Sequence, residues 1–135
     1  MLRTIVIIFS FCISASAWSG ELITDPEAVK NIFNNKTVYG KHLKKDRPGY
    51  NVYFAPDGSM RRFTEAGEAD KGKWHIDDKG RHCIEFDHNA GSTFCRVIMK
   101  GFADGIYFRV RVKGDKHIKV VKFDDFRDGD QVPKP

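Results

Sequence analysis

The chain has 135 residues with a formal net charge of +5, 41% hydrophobic and 30% charged side chains, 12 Gly, 11 Phe and 3 Cys. These values suit one domain able to bury a core, and they exclude wholesale disorder and collagen-like repetition. They name no reaction, because no residue cluster matches a catalytic or metal-binding pattern.

The first seventeen residues read as an export signal. Arg3 supplies the positive n-region, Ile5 to Ile13 an apolar run of nine residues, and Ser14-Ala15-Ser16-Ala17 the small residues of a cleavage site. Nine residues fall well short of the ~20 that cross a bilayer as a helix, so no transmembrane segment is expected. Cleavage near Ala17 removes 17 of the 135 residues and leaves a mature chain of 118, periplasmic or secreted, forming a single domain over residues 18–135. That chain keeps two cysteines, Cys83 and Cys95. An even count in an exported chain predicts one disulfide, stabilising the fold by roughly 3 kcal/mol on the chain-entropy argument.

The next element is a short helix. Thr24-Asp25-Pro26-Glu27 carries helix-start chemistry, with Thr24 read as the cap, and Ala28, Val29, Ile32 and Phe33 follow at helical spacing up to Asn34-Asn35. About two and a half turns are too short to stand alone, so the apolar stripe is expected to lie across one end of a barrel or sheet.

From Lys36 the period changes to two. Runs rich in Val, Ile, Phe and Tyr predict strands near 36–43, 50–54, 59–64, 72–76, 81–86, 92–99, 105–112 and 116–123, separated by turn clusters such as Pro56-Asp57-Gly58 and Gly114-Asp115. No connection is long enough for a crossover helix. The expected fold is therefore mainly β: an antiparallel meander of about eight strands forming a small barrel or barrel-like sandwich with one short N-terminal helix. Centring the turn after Phe86 on Asn89 sets Cys83 opposite Cys95 and His82 opposite Arg96. Centring the last hairpin between Gly114 and Asp115 sets Ile106, Phe108, Val110 and Val112 opposite Phe123, Val121, Lys119 and His117, an apolar face backed by Tyr107, Arg109 and Arg111. The acidic tail from Asp124 to Asp130 fails as a calcium loop, since Phe126 holds a ligand position, and is expected to be solvated and frayed.

The order Lys36-Thr37-Val38-Tyr39-Gly40, Tyr50 to Gly58, Gly72-Lys73-Trp74, Cys83 and Cys95 resembles a family of small secreted proteobacterial β-rich domains of unknown function. The resemblance spans most of residues 32–100 and implies an exported, disulfide-bonded β fold without an assigned activity. Gly72-Lys73-Trp74 is also similar to a lipocalin signature, displaced here from the first barrel strand to mid-chain.

Five histidines lack ligand spacing, no Gly-x-Ser-x-Gly elbow is present, and both mature cysteines are assigned to a disulfide. No enzyme, metal or cofactor is therefore expected. Arg96 shares a predicted face with His82, Ile84, Phe86, Phe94 and Ile98, and an arginine on an apolar face needs either an acidic partner or an anionic ligand. Trp74 fits a core plug beneath the helix or, alternatively, a stacking platform. The expectation is an exported, non-enzymatic binding protein taking a small anionic or amphipathic ligand, with Trp74, His82, Phe94, Arg96 and Arg109 as candidate contacts. The alternative is a protein-binding module, such as an inhibitor of an envelope hydrolase. Nucleic acid is not an expected partner.

Overall fold

The structure, a computed structural model, describes residues 20–134; the export signal expected over residues 1–17 lies outside them. Strand β1 (Leu22–Ile23) leads into helix α1 (Pro26–Phe33). Strands β2 (Lys36–His42), β3 (Tyr50–Phe54), β4 (Ser59–Thr64) and β5 (Ala69–Ile76) follow, then β6 (His82–Phe86), β7 (Phe94–Lys100), β8 (Tyr107–Lys113) and β9 (Lys116–Asp128). Each of β2 to β9 pairs antiparallel with its successor, and β9 pairs back onto β2, closing an eight-stranded barrel. Closure leaves no open edge among these eight. The short β1 lies outside the ring, with Leu22 opposite Met99 and Ile23 opposite Ile98.

Helix α1 covers one end of the barrel, as its length and single stripe require. Its cap differs from expectation. Asp25 rather than Thr24 occupies the N-cap, makes no side-chain capping bond, and leaves Pro26 to begin the helix. Val29 and Phe33 are fully buried, and Phe33 meets Phe54 at 5.5 Å, Phe123 at 5.4 Å and His82 at 4.4 Å between ring centroids. These aromatics, with Val38 and Trp74, make the core at the helix end. The Gly-x-Trp motif has a steric basis: a Cβ on Gly72 would lie 2.2 Å from the main-chain oxygen of Glu85, so only glycine allows β5 and β6 to approach there.

The β6–β7 register is the expected one, with His82 opposite Arg96 and Cys83 disulfide-bonded to Cys95. The last hairpin starts as expected, with Val112 opposite His117 and Val110 opposite Lys119, and then departs. Arg109 lies opposite Val121, Phe108 opposite Lys122 and Tyr107 opposite Phe123, so Val120 is an extra residue on β9. This bulge rotates the rest of β9 relative to β8. Its consequence overturns the expected face: Arg109 is brought inward beside Val121 and Phe123, while Phe108 takes Lys119 over its ring at 4.4 Å.

A second irregularity, between Thr37 and Tyr39, places Asp125 at a φ of 52°. It lets Phe126 pack against Phe33 and Tyr107, at 5.9 and 5.5 Å. The tail expected to fray is instead bound to the barrel. The Thr37 hydroxyl donates to the Gly129 carbonyl at 2.6 Å and accepts from the Gln131 N–H at 2.8 Å, Arg61 grips both oxygens of Asp130, and Val132 is buried.

Candidate functional site

An up-and-down barrel places alternate connections at opposite ends. Connections 43–49, 65–68, 87–93 and 114–115 share the end away from α1, and there the barrel is open. A cavity of about 490 Å³ runs inward from it. Ligand pockets of small molecules fall in this size range. Its apolar wall is built from inward positions at period two: Val52 and Phe54 of β3, Met60 of β4, Ile84 and Phe86 of β6, Val121 and Phe123 of β9. Toward the mouth the lining turns basic, with Lys44, Lys45, Arg47, Arg62, Arg96, Arg109 and Arg111 alongside His42 and His88. No aspartate or glutamate is among the lining residues.

The cations in this cavity are not equivalent. Arg62 is neutralised, ion-paired with Asp70 directly across the β4–β5 ladder, and its guanidinium lies 4.4 Å from the Phe86 ring centroid. Arg96 has no acidic partner among the described residues and donates only to the neighbouring Cys95 carbonyl at 3.2 Å. Arg109 is the deepest departure from ordinary burial rules. It is 5% exposed, its Nη2 donates to the His82 main-chain carbonyl at 3.3 Å, its Nε has no partner among the described residues, and its guanidinium lies 5.4 Å from the Phe94 ring centroid. Burial pulls its pKa down to about 10. At neutral pH it nevertheless keeps its charge.

Tyr50 faces the same space. Its ring lies against Gly40, where a Cβ would come within 2.6 Å of it, and burial pushes its hydroxyl pKa up while Arg109 and Arg62 oppose the shift. The raised pKa keeps the phenol protonated and able to donate. His42, at the mouth, has its ring 5.8 Å from that of Tyr50; burial and then nearby cations, Arg47 foremost, hold it below the usual imidazole range. It forms part of the cavity wall.

Of the expected contacts, Phe94, Arg96 and Arg109 line the cavity, and Trp74 and His82 do not. Trp74 takes the plug position: its indole N–H donates to the Ala55 carbonyl at 2.8 Å and its ring meets Phe54 edge-on at 5.3 Å. His82 is fully buried among Phe33, Phe54 and Trp74, and neither ring nitrogen has a hydrogen-bond partner among the described residues. Sequence reasoning overlooks Tyr50, Arg62 and Arg111 as a set. For Tyr50 and Arg62 the signal available is period two on β3 and β4, which puts them on the inward face with Val52 and Met60; Arg111 follows Arg109, whose face depends on the β9 bulge.

The cluster Asp77, Cys83 and Cys95 has metal-like spacing, but both sulfurs are consumed in the disulfide and offer no thiolate. The cavity brings together a buried guanidinium with no carboxylate partner among the described residues, a protonated phenol and an apolar wall. Comparisons of the chain with protein-family models, with curated proteins and with solved structures return no match.

Proposed function

We propose that this chain is an exported, non-enzymatic binding protein that holds a small anionic amphiphile in the barrel interior. The ligand's charged group meets Arg109, with Arg96 and the Tyr50 hydroxyl beside it, and its apolar part lies along Val52, Met60 and Phe123. One observation carries the reading: Arg109 is a nearly buried guanidinium with no carboxylate partner, in a cavity whose lining contains no acid. An uncompensated charge in such surroundings costs several kcal/mol, and an arriving anion is the group that offsets it. Export is supported by the signal-like first seventeen residues and by the Cys83–Cys95 disulfide, which persists in oxidising compartments.

The test is calorimetric titration with dodecanoate and with dodecanol, which share a chain and differ in charge. Dodecanoate is expected to bind about ten- to a hundredfold more tightly, the range of one charge-assisted hydrogen bond, and Arg109→Met should erase the difference. Equal affinities would sink the anion reading. Native mass spectrometry of protein from its own host supplies a second readout. A retained small molecule agrees with the proposal, whereas a ligand-free mass with one protein captured stoichiometrically points to a protein-binding module.

A further inference from the structure

We infer that one lip of the barrel mouth docks on a bilayer rich in anionic phospholipid, so that the cavity exchanges its amphiphile directly with the leaflet. The exchange rests on the cavity reading above; the docking stands by itself. Connections 43–49 and 114–115 belong to β2–β3 and β8–β9, and β2 neighbours β9 in the sheet. They therefore lie side by side, with the Leu43 N–H donating to the Val120 carbonyl at 3.0 Å.

This lip carries Lys44, Lys45, Arg47, Arg111, Lys113 and Lys116 against two acids, Asp46 and Asp115. None of these six cations is in an ion pair among the described residues. Lys113 sits directly opposite Lys116 across the β8–β9 ladder, a like-charge pair that is destabilising by itself and that a nearby polyanion relieves. Glu65 lies against this lip, its Oε2 accepting from the Gly49 N–H at 3.2 Å, while Glu68 and Asp87 sit on the other two connections of the mouth, 65–68 and 87–93. The 43–49 and 114–115 connections thus carry more cations than acids on neighbouring loops, giving the surface a direction of approach.

Two further features favour a bilayer over a nucleic acid. Leu43 and Val112 are 45% and 50% exposed within the basic lip, and apolar side chains among cations suit an interface that accepts both headgroups and acyl chains. The lip is also continuous with the cavity, since Lys44, Lys45, Arg47 and Arg111 line both. A single-chain amphiphile leaving the leaflet there enters the barrel without crossing open water.

Co-sedimentation of the mature chain with vesicles of phosphatidylcholine, alone or mixed with phosphatidylglycerol, tests the docking. Each lysine near an anionic surface adds roughly fivefold to partitioning. Lys113→Glu with Lys116→Glu, at positions that do not line the cavity, should lower binding to the mixed vesicles by about 25-fold or more, with an unchanged circular dichroism spectrum. Leu43→Ser with Val112→Ser should weaken binding while leaving its salt dependence intact. Equal partitioning onto both vesicle types, an unaffected double lysine variant, or equally tight binding to an oligonucleotide overturns the proposal. Arg109→Met separates the two readings: it should bind vesicles like the unmodified chain while losing dodecanoate, and a variant that retains dodecanoate refutes the cavity reading alone.

Discussion

Arg109 donates a single hydrogen bond, 3.3 Å to the main-chain carbonyl of His82, and that contact joins the cavity to the closed core beneath it. Among the described residues, the guanidinium above it has no counter-ion and the His82 ring below it has no hydrogen bond. The barrel thus places two costly residues back to back.

The first prediction follows from the upper one. Burial lowers the Arg109 pKa from the ordinary guanidinium range to about 10, so the folded state resists the charged form at every pH below that value. The corresponding cost is on the order of 3 kcal/mol. Arg109→Met, similar in length and apolar, should therefore raise the stability of ligand-free protein by about 2–3 kcal/mol in denaturant titration, while abolishing anion binding. A loss of stability would show that the guanidinium holds the barrel together.

His82 sets a pH dependence. Its pKa is well below the ordinary 6.5, chiefly through burial and further through the charges of Arg109 and His75. Below about pH 6.5 the unfolded chain takes up a proton that the folded chain refuses, so stability falls with falling pH by roughly 1.4 kcal/mol per unit until the folded pKa is reached. His82→Phe removes this term and the unpaired nitrogens together. The variant should be the more stable at neutral pH, and its advantage should widen on acidification to about pH 5. Parallel stability curves for the two proteins would contradict the assignment.

Much of this arrangement is legible in the residues. Period two from Lys36 onward and turn glycines such as Gly58, Gly80 and Gly91, all at positive φ, specify the strands and their order. The Cys83–Cys95 pairing follows from one turn centre. The inward turn of Arg109 does not, because it depends on Val120 being extra in the β9 ladder, and a β-branched residue in a strand has no local mark of a bulge. His82 was legible as a partner of Arg96 but not as a buried ring, since the depth at which α1 seats Phe33 is a tertiary property. The same holds for the tail, whose charges read as solvated until Arg61 meets Asp130 across the barrel.

Trp74 packs in the helix-end core against Phe54 and His82 and does not line the cavity. Trp74→Ala should cost about 3–5 kcal/mol, the range for large aromatic truncations. Trp74→Phe should cost less, on the order of 1–3 kcal/mol, by leaving the Ala55 carbonyl without its indole donor. Affinity for dodecanoate should survive in the folded Trp74→Phe protein. Intact stability with lost binding would instead make the indole a ligand contact.

The C-terminal segment is a strap, and its removal offers a quantitative check. Thr37 is fully buried, and its hydroxyl bridges the Gly129 carbonyl and the Gln131 N–H, while Val132 is 5% exposed. Deleting residues 130–135 takes away one buried aliphatic side chain, the Gln131 N–H that donates to Thr37, and the Asp130 carboxylate that pairs with the partly exposed Arg61. Burial of a valine contributes about 1.5–3 kcal/mol, and an exposed ion pair about 0–1 kcal/mol. With about 0.5–1.5 kcal/mol more for the lost Gln131–Thr37 hydrogen bond, the truncated chain should lose about 2–5 kcal/mol in denaturant titration, most of it reproduced by Val132→Asp and little by Arg61→Ala. Because the strap crosses β2 and β4 at the end away from the mouth, dodecanoate affinity measured below the unfolding transition should not change. A truncation with full stability would mean that the tail's contacts add nothing to the barrel, and one that releases ligand would place the strap in the binding machinery.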